Sequence, residues 1–581
     1  MDPTVEFPPH VLRDYALLAD GERGVLVGPR GDVAWMCAPR WHDDAVFSSL
    51  IGGAGTYGVT PSDPRNVWGG RYEEGSLIWR GRWVTSTGII ECRDALAFPG
   101  DPSTAVLLRR VQAVAGDARV HVSLHAAAGF GKEPMGDVAR DGAAWTARAG
   151  SLHLRWTGAQ DAEVREDSLV LVLDVPAGGH HDLVLEMSDS TLRRHAPDPD
   201  RAWRATEHAW RRAVPAVDGT LADQDVRQSF AVLRGMTSAT GAMVAASTMS
   251  LPERADQGRD YDYRYAWIRD QCYAGQAVAA HGPHPLLDSA VGFVSERLLE
   301  DGPRLRPAYT VTGGRVPDER DLELPGYPGG RDRAGNWVND QLQLDNFGES
   351  LLLLAAAGRH DRLDLRRWRA AEVAVDAIAA RWTEPDAGIW ELDNARWAHS
   401  RLICAAGLRA MGDVAPAAQA ARWASLADVI VADTAGDCLH PEGRWQRAPH
   451  DTRVDASLLL AGLRGAVPAG DPRTRATLDA VRRELGRQGY VYRFRQDERP
   501  LADAEGAFLL CGFLMALATH QQGCEVEAAR WFERNRAACG SPGLFTEEYD
   551  VDQRQLRGNY PQSFVHALLI ESAVRLAGPG G

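Results

Sequence analysis

No stretch of the 581 residues approaches the roughly 18 consecutive apolar residues of a membrane span, although 45% of the chain is apolar, enough for large cores. A globular protein without membrane partners is expected. The first residues, Met1-Asp-Pro-Thr-Val-Glu-Phe-Pro-Pro, carry no basic segment followed by an apolar one, so no secretory leader is expected there. The cysteines Cys37, Cys92, Cys272, Cys404, Cys438, Cys511, Cys524 and Cys539 are scattered and form no Cys-x-x-Cys pair. This excludes a disulfide frame and a zinc site, and fits buried thiols in a reducing cytoplasm. Positive charge is also short. The formal net charge is −15, and the basic residues, mostly arginine, are interspersed with acids. Counterion release at a nucleic-acid backbone needs clustered cations, so a neutral polar substrate fits better than nucleic acid. Gly52-Gly-Ala-Gly55 follows no strand at dinucleotide spacing and has no phosphate-cradling role.

What is present divides into two patterns. Between about residues 11 and 190, short apolar runs alternate with Gly, Asp and Pro turn signals: Gly24–Gly28, Leu77–Val84, Ala105–Val111, Val120–Leu124 and Leu169–Leu173. That pattern predicts an antiparallel β-sandwich over 1–199. Residues 200–222 read as a linking helix, with Trp203 and Trp210 two turns apart on one face. Beyond Asp223 the period becomes helical, and twelve segments are expected, near 223–236, 269–281, 284–300, 339–357, 365–382, 397–411, 415–433, 453–465, 472–486, 503–519, 524–538 and 560–576. Twelve helices with short connections close as an inner and an outer ring of six, an (α/α)6 barrel over 223–581. The tail Ala577-Gly-Pro-Gly-Gly581 is expected to fray.

The long non-helical stretches at about 301–338, 383–396 and 540–559 are the candidates for lining a cleft. Two of them carry carboxylates beside aromatics, Asp386-Ala-Gly-Ile-Trp-Glu391 and Glu547-Glu548-Tyr549-Asp550. Two carboxylates from separate loops are what glycosidic cleavage needs: one protonates the leaving oxygen, the other activates water. Tyr261-Asp-Tyr-Arg-Tyr-Ala-Trp-Ile-Arg-Asp270 adds arginine and aspartate for sugar hydroxyls and aromatic faces for a pyranose ring. An aspartate cap with a paired arginine at a helix start is the structural alternative. His180-His181-Asp182 has metal-ligand chemistry, but its place at a strand start favours a surface turn. No metal or organic cofactor is expected.

Six motifs, in this order, resemble glycoside hydrolase family 15, which includes glucoamylases, glucodextranases and actinobacterial trehalases. They are Tyr261–Asp270, Gln341-Leu-Gln-Leu-Asp-Asn-Phe-Gly-Glu349, Gly388-Ile-Trp-Glu391, Asp455-Ala-Ser-Leu-Leu459, Glu505-Gly-Ala-Phe508, and Glu547–Asp550 with Gly558-Asn-Tyr-Pro-Gln-Ser-Phe564. The stretch from Ala19 through Trp41 is similar to the trehalase-like domain that precedes the barrel in bacterial members. The resemblance implies that Glu391 is the general acid and Glu547 the general base. It also implies that Arg269 and Asp270 hold the non-reducing glucose, with Tyr263, Trp267 and Trp390 around it, and that Arg331 in the loop Leu324–Arg331 touches substrate. Spacing alone does not separate Glu547 from Glu548 as base. The chain departs from the family pattern at Gln271, Gly330, Asp332 and Leu392-Asp-Asn-Ala-Arg-Trp397, positions expected on the leaving-group side. The function implied is an inverting, exo-acting hydrolase releasing β-glucose from a small α-glucoside, with α,α-trehalose first. Isomaltose or maltooligosaccharides come second, and a sugar phosphorylase or a non-catalytic sugar-binding homologue follow.

Overall fold

The computed structural model describes residues 7–254, 259–496 and 499–578, so residues 579–581 of the expected frayed tail lie outside them. Residues 16 to 188 form two eight-stranded sheets. The first runs, in spatial order, Ala16–Ala19, Gly24–Val27, Asp32–Cys37, Thr56–Pro61, Ala118–His125, Ser168–Val175 and Glu163–Arg165, with Ala45–Phe47 paired to Asp32–Cys37. The second runs Gly136–Asp141, Ala144–Ala149, Leu152–Thr157, His180–Ser188, Thr104–Ala115, Ile89–Leu96, Trp79–Thr85 and Asn66–Tyr72. Neighbouring strands are antiparallel.

The first strands are buried on both faces, and their period of two shows why. Ala16, Leu18, Val25 and Val27 pack between the sheets with Trp79, Trp83 and Trp156. Leu17, Ala19, Leu26 and Trp35 point the other way, into the core that the sheet shares with the helices. One sheet is therefore pressed between its partner and the barrel.

Helix α1 (Pro199–Ala213) starts where the Asp198 side chain accepts from the Arg201 N–H and proline occupies its first turn. Its tryptophans seat it on the second sheet. Trp210 stacks on Phe98 at 3.9 Å between ring centroids, and Trp203 Nε1 donates to Asp182 under the Arg93 guanidinium.

Among the described residues twelve helices follow. The outer set is α2 (Asp223–Gly235), α4 (Pro285–Asp301), α6 (Leu365–Arg381), α8 (Ala417–Asp437), α10 (Pro472–Leu485) and α12 (Glu525–Arg536). The inner set is α3 (Ile268–His281), α5 (Asp345–Arg359), α7 (Ala398–Gly412), α9 (Leu460–Leu463, preceded by a 3-10 turn at Ala456–Leu459), α11 (Leu509–Gln521) and α13 (Ser563–Leu576). Each inner helix packs against the next, and α13 packs back on α3, closing the ring. Inner helices are apolar nearly all round, as α11 is buried from Leu509 to Thr519, whereas outer ones carry one apolar stripe. No helix among the described residues is long and apolar enough to cross a membrane.

Helices α5, α9 and α11 begin some residues later than periodicity suggests. There the backbone N–H groups go to neighbouring loops: Leu344 N–H donates to Asp386 Oδ2 at 3.1 Å, and Leu509 N–H to the Glu547 carbonyl at 3.0 Å.

The sandwich braces the loops at this N-terminal pole. Trp35 Nε1 donates to the Ser247 carbonyl at 2.8 Å, and Tyr560 Oη to the Tyr15 carbonyl at 2.7 Å. Arg264, 2% exposed in its side chain, forks onto Asp262 at 2.9 and 2.6 Å and donates to the Asp43 carbonyl at 2.7 Å. Arg264→Met removes the cation from the buried Asp262 carboxylate, which keeps only the Gly335 N–H and the Tyr265 hydroxyl as outside donors, and is expected to lower stability by about 3–5 kcal/mol. A urea midpoint unchanged from the parent would refute that account.

Candidate active site

The segment Tyr261–Asp270 approaches α3 in a nearly extended form, so alternate side chains face opposite ways. Asp262 and Arg264 face the sandwich, and Tyr261 and Tyr263 face a cavity at the inner-helix N-termini. Their rings lie parallel, 6.1 Å apart, and Tyr263 meets the edge of Trp267 at 5.5 Å. The Tyr263 hydroxyl donates to Glu547 Oε2 at 3.2 Å and also lies 3.4 Å from Glu253 Oε1. Trp267 Nε1 donates to Glu391 Oε1 at 2.8 Å. One short segment thus holds two carboxylates that stand more than 150 positions apart in the chain.

Glu391 sits at φ 54°, a left-handed conformation that a non-glycine residue adopts only when its surroundings impose it. Asp386 imposes it. Its Oδ2 accepts from the N–H groups of Leu344 and Gly388 and from the Ser400 hydroxyl, at 3.1, 3.0 and 2.9 Å. Gly388 turns at φ 67° against the Trp397 ring, where a Cβ would come within 2.7 Å. Trp390 is fixed by donating to Asp455, and the Arg269 guanidinium donates to the Ile389 carbonyl at 2.8 Å while lying 3.4 Å from Asp270 and 3.9 Å from Glu391.

The two consecutive glutamates separate because they flank a strand start. Glu548 opens the strand Glu548–Asp550 and turns its carboxylate to the Gly506 N–H at 2.7 Å, whereas Glu547 lines the cavity. Burial raises the Glu547 carboxyl well above the glutamate range, and the charge of Glu253 raises it further. Burial likewise lifts Asp270 to about 6, against the opposing pull of Arg269, and Asp386 to about 8.

The cavity between these groups is about 70 Å³, lined by Glu253, Arg259, Tyr261, Tyr263, Arg269, Tyr273, Trp337, Ile389, Trp390, Glu391, Arg493, Leu510, Glu547 and Phe564. It adjoins an open cleft of about 450 Å³ that shares Arg259, Tyr261, Trp390, Glu391 and Arg493. Of the residues singled out in the sequence, Glu391, Glu547, Tyr263, Arg269 and Trp390 line the cavity; Trp267 and Asp270 are not among its lining residues. Arg331 is exposed and lines neither hollow. Of the departures, only 392–397 reaches the open cleft. Gln271 instead bonds the backbone of Met243 and Gly241, and Asp332 the N–H groups of Leu322 and Leu324.

Sequence reasoning missed Glu253, Arg259 and Arg493. Arg259 lies 2.9 Å from Glu253, and Arg493 pairs with Glu505 while lying over the Phe508 ring. Arg493 stands between Tyr492 and Phe494, an aromatic–basic alternation that is its only local signal.

Two other places are set aside on physical grounds. His180, Asp182 and Asp200 lie close enough to share an ion, but Arg110 occupies both carboxylates at 2.8 and 2.6 Å. A larger hollow of about 660 Å³ opens at the opposite pole, beside Arg359, Arg409, Arg464 and Arg575. There the inner helices present their C-termini, which attract cations for their own sake.

Asp386 supplies a test of the loop that carries Glu391. Its carboxyl titrates near 3.8 when unconstrained and at about 8 when folded, so the folded chain binds the proton more tightly. Its contribution is present below about pH 4 and is lost as pH rises toward 8. Asp386→Asn removes that dependence, so the melting temperature of the variant relative to the parent should rise between pH 5 and pH 8.

Residues 227–574 match the family profile of glycosyl hydrolases family 15, and residues 8–199 match that of the trehalase-like N-terminal region. The chain is 30% identical to a trehalase of Mycobacterium tuberculosis over 98% of its own length and 90% of the relative's. It is 31% identical to a trehalase of Mycolicibacterium smegmatis, over 99% and 92%. The crystal structure of a bacterial glucoamylase complexed with acarbose shares the fold at a TM-score of 0.72 and 14% identity, covering 99% of this chain and 97% of that one. With its sandwich, its closed ring of helices and its two carboxylates at one pole, the chain belongs to glycosyl hydrolases family 15.

Proposed function

We propose that this protein is an inverting hydrolase that releases β-glucose from α,α-trehalose, with Glu391 as general acid and Glu547 as general base. The observation that carries the reading is the joint tether: Tyr263 holds Glu547 and Trp267 holds Glu391, so both carboxylates border one cavity. Water loses a proton to Glu547 as its oxygen attacks the anomeric carbon. The glycosidic oxygen takes its proton from Glu391 as the bond breaks, and the configuration inverts. Arg269 positions the non-reducing glucose beside Tyr263 and Trp390, with Asp270 and Trp267 supporting them from behind the cavity wall. The choice of trehalose rests on the two near-full-length relatives that are trehalases. The open cleft of about 450 Å³ has room for other leaving groups, so isomaltose and maltooligosaccharides are the second reading. We also read residues 1–199, 200–222 and 223–581 as sandwich, linker and catalytic units. The cytoplasm suits eight free cysteines, six of them buried.

The acid and base are told apart by a substrate whose leaving group needs no proton. Glu391→Gln should lower trehalose hydrolysis by about 10²–10⁴-fold yet retain turnover of α-glucosyl fluoride, whereas Glu547→Gln should lose both. Proton NMR within minutes of mixing should show β-glucose first; α-glucose first would refute inversion, and a strict need for phosphate would favour a phosphorylase.

The base must shed its proton before it works, and burial and Glu253 both hold that proton on. The acid limb of kcat/KM should therefore lie above the ordinary glutamate range. Glu253→Gln, by removing the second cause, should move that limb to lower pH.

A further inference from the structure

The cleft outside the cavity contains a guanidinium that the catalytic assignment does not use. Arg447 lines the open cleft together with Glu391, Asp393 and Asn394, on the side where a leaving group must depart from the acid. Its side chain is only 5% exposed, and its guanidinium carbon lies over the Phe494 ring, 3.6 Å from the centroid, and 4.9 Å from that of Trp397. Nη1 donates to Asp451 Oδ2 at 3.4 Å, and Nε lies within ion-pair distance of Asp455, at 3.2 Å, without a hydrogen bond to it. Nε and Nη2 are both buried with no hydrogen-bond partner among the described residues, and Nη2 has no carboxylate beside it either.

A buried charged donor without an acceptor is costly, and it gains most from a ligand oxygen. Arginine's five donors sit in a fixed fork, so the bond to Asp451 and the ion pair with Asp455 together set where Nη2 points. The same Asp455 accepts from Trp390, the neighbour of Glu391, so the fork is rigidly linked to the loop that carries the acid. The carboxylates around Arg447 offset its charge, which favours a neutral hydroxyl over an anionic group.

We propose that Arg447 is a specificity-determining residue of the leaving-group subsite, its Nη2 donating to a hydroxyl of the departing sugar. This rests on the reading of Glu391 as the acid and of a disaccharide as the substrate. A sugar bound there gains a charge-assisted hydrogen bond that no leaving group lacking a hydroxyl can make.

The test compares a leaving group that fills the subsite with one that does not, in the full-length protein. Arg447→Lys keeps the charge and one donor toward Asp455 but loses the fork. Its kcat/KM for the disaccharide that the parent cleaves best, among trehalose, isomaltose, maltose and kojibiose, should fall about 10- to 100-fold. Its kcat/KM for α-glucosyl fluoride should stay within about 2-fold of the parent, and that retained turnover shows that the variant folds. A parallel loss on both substrates would make Arg447 a support for the whole site, and no loss on either would make it a bystander; each overturns the proposal. A parent that hydrolyses the fluoride but no disaccharide would sink the reading of the substrate itself, a result visible before any variant is made.

Discussion

The structure depends on the placement of one extended segment, Tyr261–Asp270, between two large bodies. Its alternation does two things at once. The Asp262–Arg264 pair fastens it to the sandwich, and Tyr263 and Trp267 fasten the carboxylates of Glu547 and Glu391 to it. An extended strand is the element that can serve both sides in so few residues, because neighbouring side chains point in opposite directions. A helix would present one face to each body only over several turns. The sandwich is therefore part of the site's scaffold, although none of its strands lines the cavity.

The two poles of the barrel divide charge in a way that follows from the backbone. Six inner helices point their N-termini at the cleft, and the positive end of each dipole offsets the cost of gathering Glu253, Glu391, Glu505, Glu547 and Glu548 in one buried region. Arg259 and Arg493 supply the remaining compensation by pairing directly with Glu253 and Glu505, and Arg269 by lying between Asp270 and Glu391 while donating to the Ile389 carbonyl. At the far pole the helix C-termini meet Arg359, Arg409 and Arg575. Compensation at the cleft is incomplete, as the raised carboxyls of Glu547, Asp386 and Asp270 record.

Much of this was legible in the sequence. Period two gave the strands and period 3.6 the helices, and the motif order pointed to Glu391 and Glu547. Three things escaped, each for a physical reason. The starts of α5, α9 and α11 are set by tertiary partners such as Asp386, which cap backbone groups from a distance that no local pattern reports. Glu253 acts through space on Glu547, far along the chain, and Arg493 pairs with Glu505 across an intervening loop; the surroundings of both in the sequence carry little signal. Gln271 and Asp332 were read as substrate-facing because they departed from a family pattern, but both serve the backbone of nearby loops.

The closure of α13 onto α3 has a consequence for how the chain reaches its working form. During synthesis the first inner helix emerges with the strongly apolar faces of α3, α5 and α7 before residues 563–576 exist to complete the ring. Glu547 and its strand also arrive late, so no chain ending before residue 547 holds both carboxylates. Until then the inner ring is an open crescent of apolar helices whose one completed neighbour in the chain is the sandwich. The closing helix is therefore the last element made, and the ring and the site are completed together.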